Sequence, residues 1–188
     1  MIDYETYVKP YSQNFIRIEI SQDDVKKIDL FAKAIIEKKA KEVHHKDDNN
    51  SHYKRYYTGQ LGELALEKHL GVVGIVDWTI GDSYNYHAPD LRKLGLNVGV
   101  KTVDYGSFPL IFKENYSAEI IMIKYKERHA YLCGLASKDI LNKYQSINLV
   151  NDTRIVKRGT KTAFYGFQHL KKFNNIDELK MLLNANNL

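Results

Sequence analysis

The sequence predicts a mixed α/β (α+β) fold, with a central mixed β-sheet flanked by helices. Three observations carry that expectation. Short apolar segments with period-two alternation recur along the chain. Segments with helical spacing stand at 21–41, 58–70 and 175–183, before, between and after them. The connections between them are short and polar, with no long Pro/Gly/Ser linker and no internal repeat.

The elements follow in order. Residues 15–20, Phe-Ile-Arg-Ile-Glu-Ile, alternate and predict a strand. Ser21 reads as a helix N-cap, with Asp23 and Asp24 in the first turn, where the helix dipole favours negative charge. Val25, Ile28, Phe31, Ala32 and Ile35 then recur at helical spacing to about residue 41. The polar stretch 44–52 has no apolar period and predicts a loop. A second helix is expected over 58–70, capped by Thr58 and closed by Gly71. Strands are expected at 72–78, 96–103, 118–125 and 130–135, with Lys126-Glu127-Arg128-His129 as a hairpin turn. A short helix at 137–144, a strand at 163–167, a turn at 167–173 and a closing helix at 175–183 complete the pattern.

A length of 188 residues suggests one domain, here 1–188, with 1–57 as an amino-terminal strand, helix and loop added to the core. The chain is 44% hydrophobic and 27% charged, which excludes wholesale disorder, a collagen-like fibre and a membrane bundle. No run approaches the roughly 20 apolar residues of a transmembrane helix. The first residues, Met1-Ile2-Asp3-Tyr4-Glu5, have neither a basic flank nor an apolar run and do not read as a signal peptide. Cys133 is the only cysteine, so an intramolecular disulfide and a multi-Cys zinc site are excluded. These features point to the cytoplasm and away from a membrane. The net charge of +5 leans mildly toward a polyanionic partner, although Lys-, Asn-, Ile- and Tyr-rich usage also follows from AT-rich coding DNA.

The chemistry concentrates in three places. Pro89-Asp90 is followed by Asn97-Val98-Gly99-Val100-Lys101-Thr102. In a strand, Leu96, Val98 and Val100 pack one face while Asn97, Gly99 and Lys101 project from the other. An Asp90 on a neighbouring strand would bring its carboxylate to the Lys101 ammonium. Glu63 stands on the preceding helix, near the edge of an apolar face made by Leu61, Leu64 and Ala65, between Gly59, Gly62 and the rest of the turn. Carboxylates with a lysine suit metal-assisted hydrolysis. Hard divalent ions take oxygen ligands, and a lysine offsets charge on a phosphoryl transition state.

In that order and context these residues resemble the PD-(D/E)xK nuclease superfamily. Pro89-Asp90 is similar to its first element, Gly99-Val100-Lys101 to its acidic-x-Lys strand and Glu63 to its helix glutamate; the resemblance covers about residues 58–144. It implies a restriction-endonuclease-like core, nuclease-like over the single domain. It further implies a Mg²⁺-dependent deoxyribonuclease, with Mn²⁺ able to substitute, that is an endonuclease cutting to 5′-phosphate ends. Glu63, Asp90 and Lys101 would be catalytic. Glu63, Asp90 and the main-chain oxygen of Val100 would hold the metal. DNA would be the substrate, and a compact homodimer is the family expectation. One position departs: Gly99 stands where the family carries an acid. Either the carboxylate has moved to another element, with Glu63 the obvious donor and Asp104 and Asp82 in reserve; or the chain is an inactive mutant, one nucleotide separating many Gly and Glu codons; or it is a catalytically inactive module that binds nucleic acid or protein.

Basic residues are interleaved with aromatics at Tyr53-Lys54-Arg55-Tyr56-Tyr57, and a second group, Arg154, Lys157, Arg158 and Lys161, surrounds Gly159. Such groups pair phosphates and stack on bases, and Lys54, Arg55, Arg158 and Lys161 are the candidate nucleic-acid contacts. A tyrosine cluster and a solvated hairpin tip are the structural alternatives. His87, three residues before Asp90, reads as a loop histidine, and His44, His45 and His52 do not make a zinc set. Cys133 lies within an apolar strand and reads as core. The 71–74 stretch is no phosphate loop, and neither Ser107 nor Ser137 sits in a nucleophile elbow.

Overall fold

Residues 119–123 are buried on both faces, as a strand covered from two sides must be. This strand organises the chain. The computed structural model describes residues 3–39, 49–80 and 89–185. Its helices are α1 (Tyr4–Tyr7), α2 (Gln22–Lys39), α3 (Asn49–Leu70), α4 (Lys138–Lys143), α5 (Thr153–Arg158) and α6 (Ile176–Ala185). The strands are β1 (Ile16–Glu19), β2 (Val98–Asp104), β3 (Leu110–Phe112), β4 (Ala118–Tyr125), β5 (His129–Ala136), β6 (Gln145–Ser146) and β7 (Lys161–Phe164). The main sheet runs β1-β5-β4-β2, and a smaller one runs β3-β7-β6. β2 and β4 are parallel, whereas β4–β5 and β1–β5 are antiparallel, so the sheet is mixed, as expected.

Two cores follow from strand alternation. Val98, Val100, Ile120 and Met122 face the helices and pack with Leu61, Leu64 and Ala65 of α3, Ile28 and Ala32 of α2 and Leu179 of α6. Ile121, Ile123 and Cys133 face the smaller sheet and pack with Ile111, Leu141 and Phe164. The layers are therefore helices, main sheet and small sheet. The stretch 1–57 contributes β1 to the main sheet and α2 to the helical layer. Among the described residues no helix is long and apolar enough to cross a membrane.

Several sequence expectations need correction. Helix α3 starts at Asn49 rather than near residue 58, and Thr58 is a buried residue inside it. Its first turns pack through Tyr53, Tyr56 and Tyr57, and an aromatic stripe among polar residues hides a helical period. Of the expected loop at 44–52, residues 49–52 are helical and 44–48 lie outside the described residues. Residues 72–78 form turns and irregular chain, not a strand. Ile75 and Val76 are buried, but their N–H groups donate to the Glu67 carboxylate at 3.1 and 2.9 Å instead of to a ladder. The last strand is Lys161–Phe164, and Phe167 opens a single 3₁₀ turn. The basic group before Gly159 is helix α5, capped by the Asp152 side chain and closed by Gly159 at φ 66°, not a hairpin tip.

Gly62 sets the spacing between α3 and β2. A Cβ on Gly62 would lie 1.8 Å from Thr102 Oγ1, while a Cβ on Gly59 would meet nothing within 4 Å. Only hydrogen at Gly62 lets the helix carrying Glu63 sit this close to β2. Gly62→Ala is expected to destabilise by about 1–3 kcal/mol through overpacking. Gly59→Ala is expected to stabilise by about 0.5–1 kcal/mol through helix propensity. Urea denaturation of the two variants measures the difference; equal stabilities would contradict this account of the packing.

Candidate functional site

Asp90 lies in a turn that runs along the open edge of β2, rather than on a neighbouring strand. The Leu91 N–H donates to the Val98 carbonyl at 3.1 Å, and the Val100 N–H donates to Asp90 Oδ2 at 2.5 Å. The chain then turns through Arg92–Leu94, and Gly95 at φ 74° returns it toward β2. A strand residue directs its N–H and C=O to the same side. The Val100 carbonyl therefore leaves β2 on the side occupied by Asp90.

The opposite ladder of β2 supplies a carboxylate that the sequence reading did not name. The parallel register pairs Gly99 with Glu119 and Lys101 with Ile121. A Cβ on Gly99 would lie 2.2 Å from Glu119 Oε2. The Glu119 carboxyl thus fills the space that a side chain at residue 99 would enter. Its Oε1 is 3.5 Å from Lys101 Nζ. Glu119 is 8% exposed, and its Oε2 is buried with no hydrogen-bond partner among the described residues.

The carboxyls are electrostatically coupled. Burial pushes Glu119 up to about 7, Lys101 pulls it back and the charge of Asp90 raises it further. Burial also raises Asp90, against the Val100 N–H bond and the Lys101 charge. Glu63 keeps part of its surface, but its carboxyl lies among packed protein; burial and then Asp90 push it well above the usual range, against Lys101. The structure brings Glu63, Asp90 and Lys101 into one electrostatic cluster, as the sequence predicts, and adds Glu119 to it. Acids held this high keep protons until something positive replaces them.

Cations border the cluster. Lys161 is lowered first by burial and then by the charges of Lys101, Arg55 and Arg158, so each of these three stands near Lys161. Lys161 Nζ itself lies 5.5 Å from the ring centroid of Phe112, a residue of the cavity wall. Lys54 points elsewhere: its Nζ is 2.9 Å from Asp104 Oδ2, and Lys124 Nζ is 2.9 Å from Oδ1 of the same carboxylate. Asp104 is held in that pair, not held in reserve for the site. Asp82, His87, His44 and His45 lie outside the described residues. Cys133 is fully buried and its thiol is pushed well up by burial, consistent with a core residue. A cavity of about 490 Å³ is lined by Asp90, Gly99, Lys101 and Glu119, with the exposed rings of Phe112 and Tyr116 also on its wall.

Among the described residues no three His, Cys, Asp or Glu side chains form a ready-made metal cluster. The oxygens that fit a hard cation are two carboxylates and a main-chain carbonyl: Asp90, Glu119 and Val100. The partnerless Glu119 Oε2 is the observation that favours such a fit, because a buried carboxylate oxygen without a donor is costly unless an ion or water meets it. Glu119 carried a signal in the sequence. It is the one acid in the apolar run 118–123, and glutamate is rarely buried without a partner. No family model, curated protein or solved structure matches the chain.

The sign of the pH dependence follows from Glu119. Its folded value of about 7 exceeds the ordinary 4.5, so the folded state binds the proton more tightly than the unfolded chain. That contribution is complete at low pH and is lost as pH rises through about 7. Metal-free protein should lose stability between about pH 5 and pH 8, and Glu119→Gln should remove on the order of 2 kcal/mol of that loss. Urea titrations across this range test it; the same slope in the variant and the parent would refute the burial of a protonated Glu119.

Proposed function

We propose that this chain is a divalent-metal-dependent DNA endonuclease with a restriction-endonuclease-like core, related to the PD-(D/E)xK superfamily. The observation that carries the reading is the Glu119 carboxyl in the place left empty by Gly99, beside Lys101 and Asp90. The resemblance required an acid two residues before the lysine. The neighbouring parallel strand supplies that acid in space, although the sequence does not supply it in line.

Asp90, Glu119 and the Val100 carbonyl would hold Mg²⁺, with Mn²⁺ a substitute. When bound, the ion neutralises phosphoryl oxygens and acidifies a water. Lys101 has two roles. Its ammonium restrains Glu119 and offers donors to a water or to the negative charge that develops at phosphorus. Asp90 is oriented by the Val100 N–H, which leaves its other oxygen for a ligand. Glu63 is near Asp90, and burial together with the Asp90 charge pushes its carboxyl well up, so the centre disfavours a third negative charge there. In this role Glu63 is a positioning residue, and Glu119 takes the ligand place first assigned to Glu63. Arg55, Arg158 and Lys161 supply the positive border that grips a phosphate backbone. With Glu119 in place, Gly99 no longer argues for a module that only binds.

Cleavage of supercoiled plasmid tests the reading. Purified protein with Mg²⁺ or Mn²⁺ is expected to nick or linearise the plasmid, and EDTA to stop it. Lys101→Ala should lower the rate by about 10² to 10³ with an unchanged unfolding midpoint. Metal-dependent cutting that survives Lys101→Ala would place the chemistry elsewhere, and no cutting by the parent on any DNA form would refute the assignment.

A further inference from the structure

The cavity at the carboxylate cluster has an aromatic lip that the hydrolytic chemistry does not use. Phe112 ends β3 and Tyr116 lies between β3 and β4; the two residues are 43% and 83% exposed. A single exposed tyrosine needs no explanation. This one stands on a segment pinned by a buried polar side chain. Asn115, 7% exposed, donates its backbone N–H to Asn142 Oδ1 at 2.9 Å and its Nδ2 to the Phe112 carbonyl at 2.8 Å. Asn142 Nδ2 donates back to the Asn115 carbonyl at 3.1 Å. The loop is thus clasped to α4, and a fixed backbone presents the ring at the cavity mouth.

The two rings differ in what covers them. Lys161 Nζ lies 5.5 Å from the Phe112 ring centroid. The Tyr116 hydroxyl donates to Glu114 Oε2 at 2.9 Å, which holds the ring edge while its faces stay open. A space of about 490 Å³ between this ring and Lys101 lies in the range of clefts that hold one small ligand. Inside a duplex, base faces are already stacked on one another; a protein ring can stack only on a base that is unpaired or splayed out.

We infer that Tyr116 is a stacking platform for an unpaired nucleobase next to a phosphate that pairs with Lys101, so that the substrate class is single-stranded or splayed DNA. The inference deepens the nuclease reading of this site and rests on it for the identity of the adjoining phosphate. Asn115 and Asn142 position the platform.

Fluorescence anisotropy in EDTA tests this without requiring cleavage. The probes are a fluorescein-labelled oligo(dT) and a labelled hairpin duplex of equal nucleotide number. The parent should bind oligo(dT) more tightly than the duplex. Tyr116→Ala should weaken oligo(dT) binding about tenfold and leave duplex binding unchanged, and Tyr116→Phe, which keeps the ring, should bind as the parent does. Tyr116→Ala binding oligo(dT) as tightly as the parent would overturn the inference, as would an equal loss on both probes or tighter binding of the duplex. A single-strand preference that depends on Tyr116, in a protein that cuts nothing, would sustain the platform and sink the nuclease. Binding of neither probe would sink both.

Discussion

The parallel pairing of β2 with β4 in the register Gly99–Glu119 is the constraint on which the site depends. A shift of one residue would turn Glu119 to the helical face and bring an apolar side chain to Lys101. That register is held from both sides. Val98, Val100, Ile120 and Met122 must face α3, and Ile121 and Ile123 must face the small sheet. The placement of one carboxylate is thus a consequence of the packing of two apolar cores. Gly99 is the complementary half of the arrangement, because any side chain there would occupy the volume of the Glu119 carboxyl.

The site concentrates acids that burial disfavours. Glu63, Asp90 and Glu119 are all raised, and the Lys101 charge opposes the rise in each. Such a cluster weakens the empty fold near neutral pH and favours whatever neutralises it. The cationic border of Arg55, Arg158 and Lys161 has the opposite tendency: its charges depress Lys161 and are relieved by an anion. Under the proposed function, such a pairing of acids and nearby bases would suit a cation and a phosphate that arrive together. The Asn115–Asn142 clasp adds a fixed rim to this centre.

Much of this was legible in the sequence wherever the relevant contacts are local. The alternation at 96–103 placed Lys101 and Gly99 on one face, and the run 118–125 was read with the bounds of β4. Helix α2 was foreseen from its cap and apolar spacing, and α4 and α6 were placed to within two residues of their ends. Helix α3 was read nine residues short, because tyrosines among lysines and asparagines do not show a clear apolar period. The 72–78 segment is rich in β-branched residues and so resembles a strand, but Val73 is exposed and the Glu67 carboxylate takes the Ile75 and Val76 N–H groups that a strand would pair. Glu119 was missed for a different reason. Its partnership with Gly99 spans parallel strands twenty residues apart, and no spacing rule connects them. Lys54 and Arg55 were grouped as neighbours in sequence, yet consecutive helix positions point about 100° apart: Lys54 pairs with Asp104, while Arg55 stands near Lys161.

The most direct test of the account is a transfer of the carboxylate between the paired strands, read by calorimetric Mn²⁺ binding. Gly99→Glu alone crowds Glu119, and Glu119→Ala alone removes the acid; each is predicted to lose binding. The double variant Gly99→Glu with Glu119→Ala returns one carboxylate to the same space and is predicted to bind Mn²⁺ again, within about tenfold of the parent. Binding by Glu119→Ala equal to that of the parent, or a double variant no better than the worse single one, would contradict the claim that Glu119 stands in for the side chain Gly99 lacks.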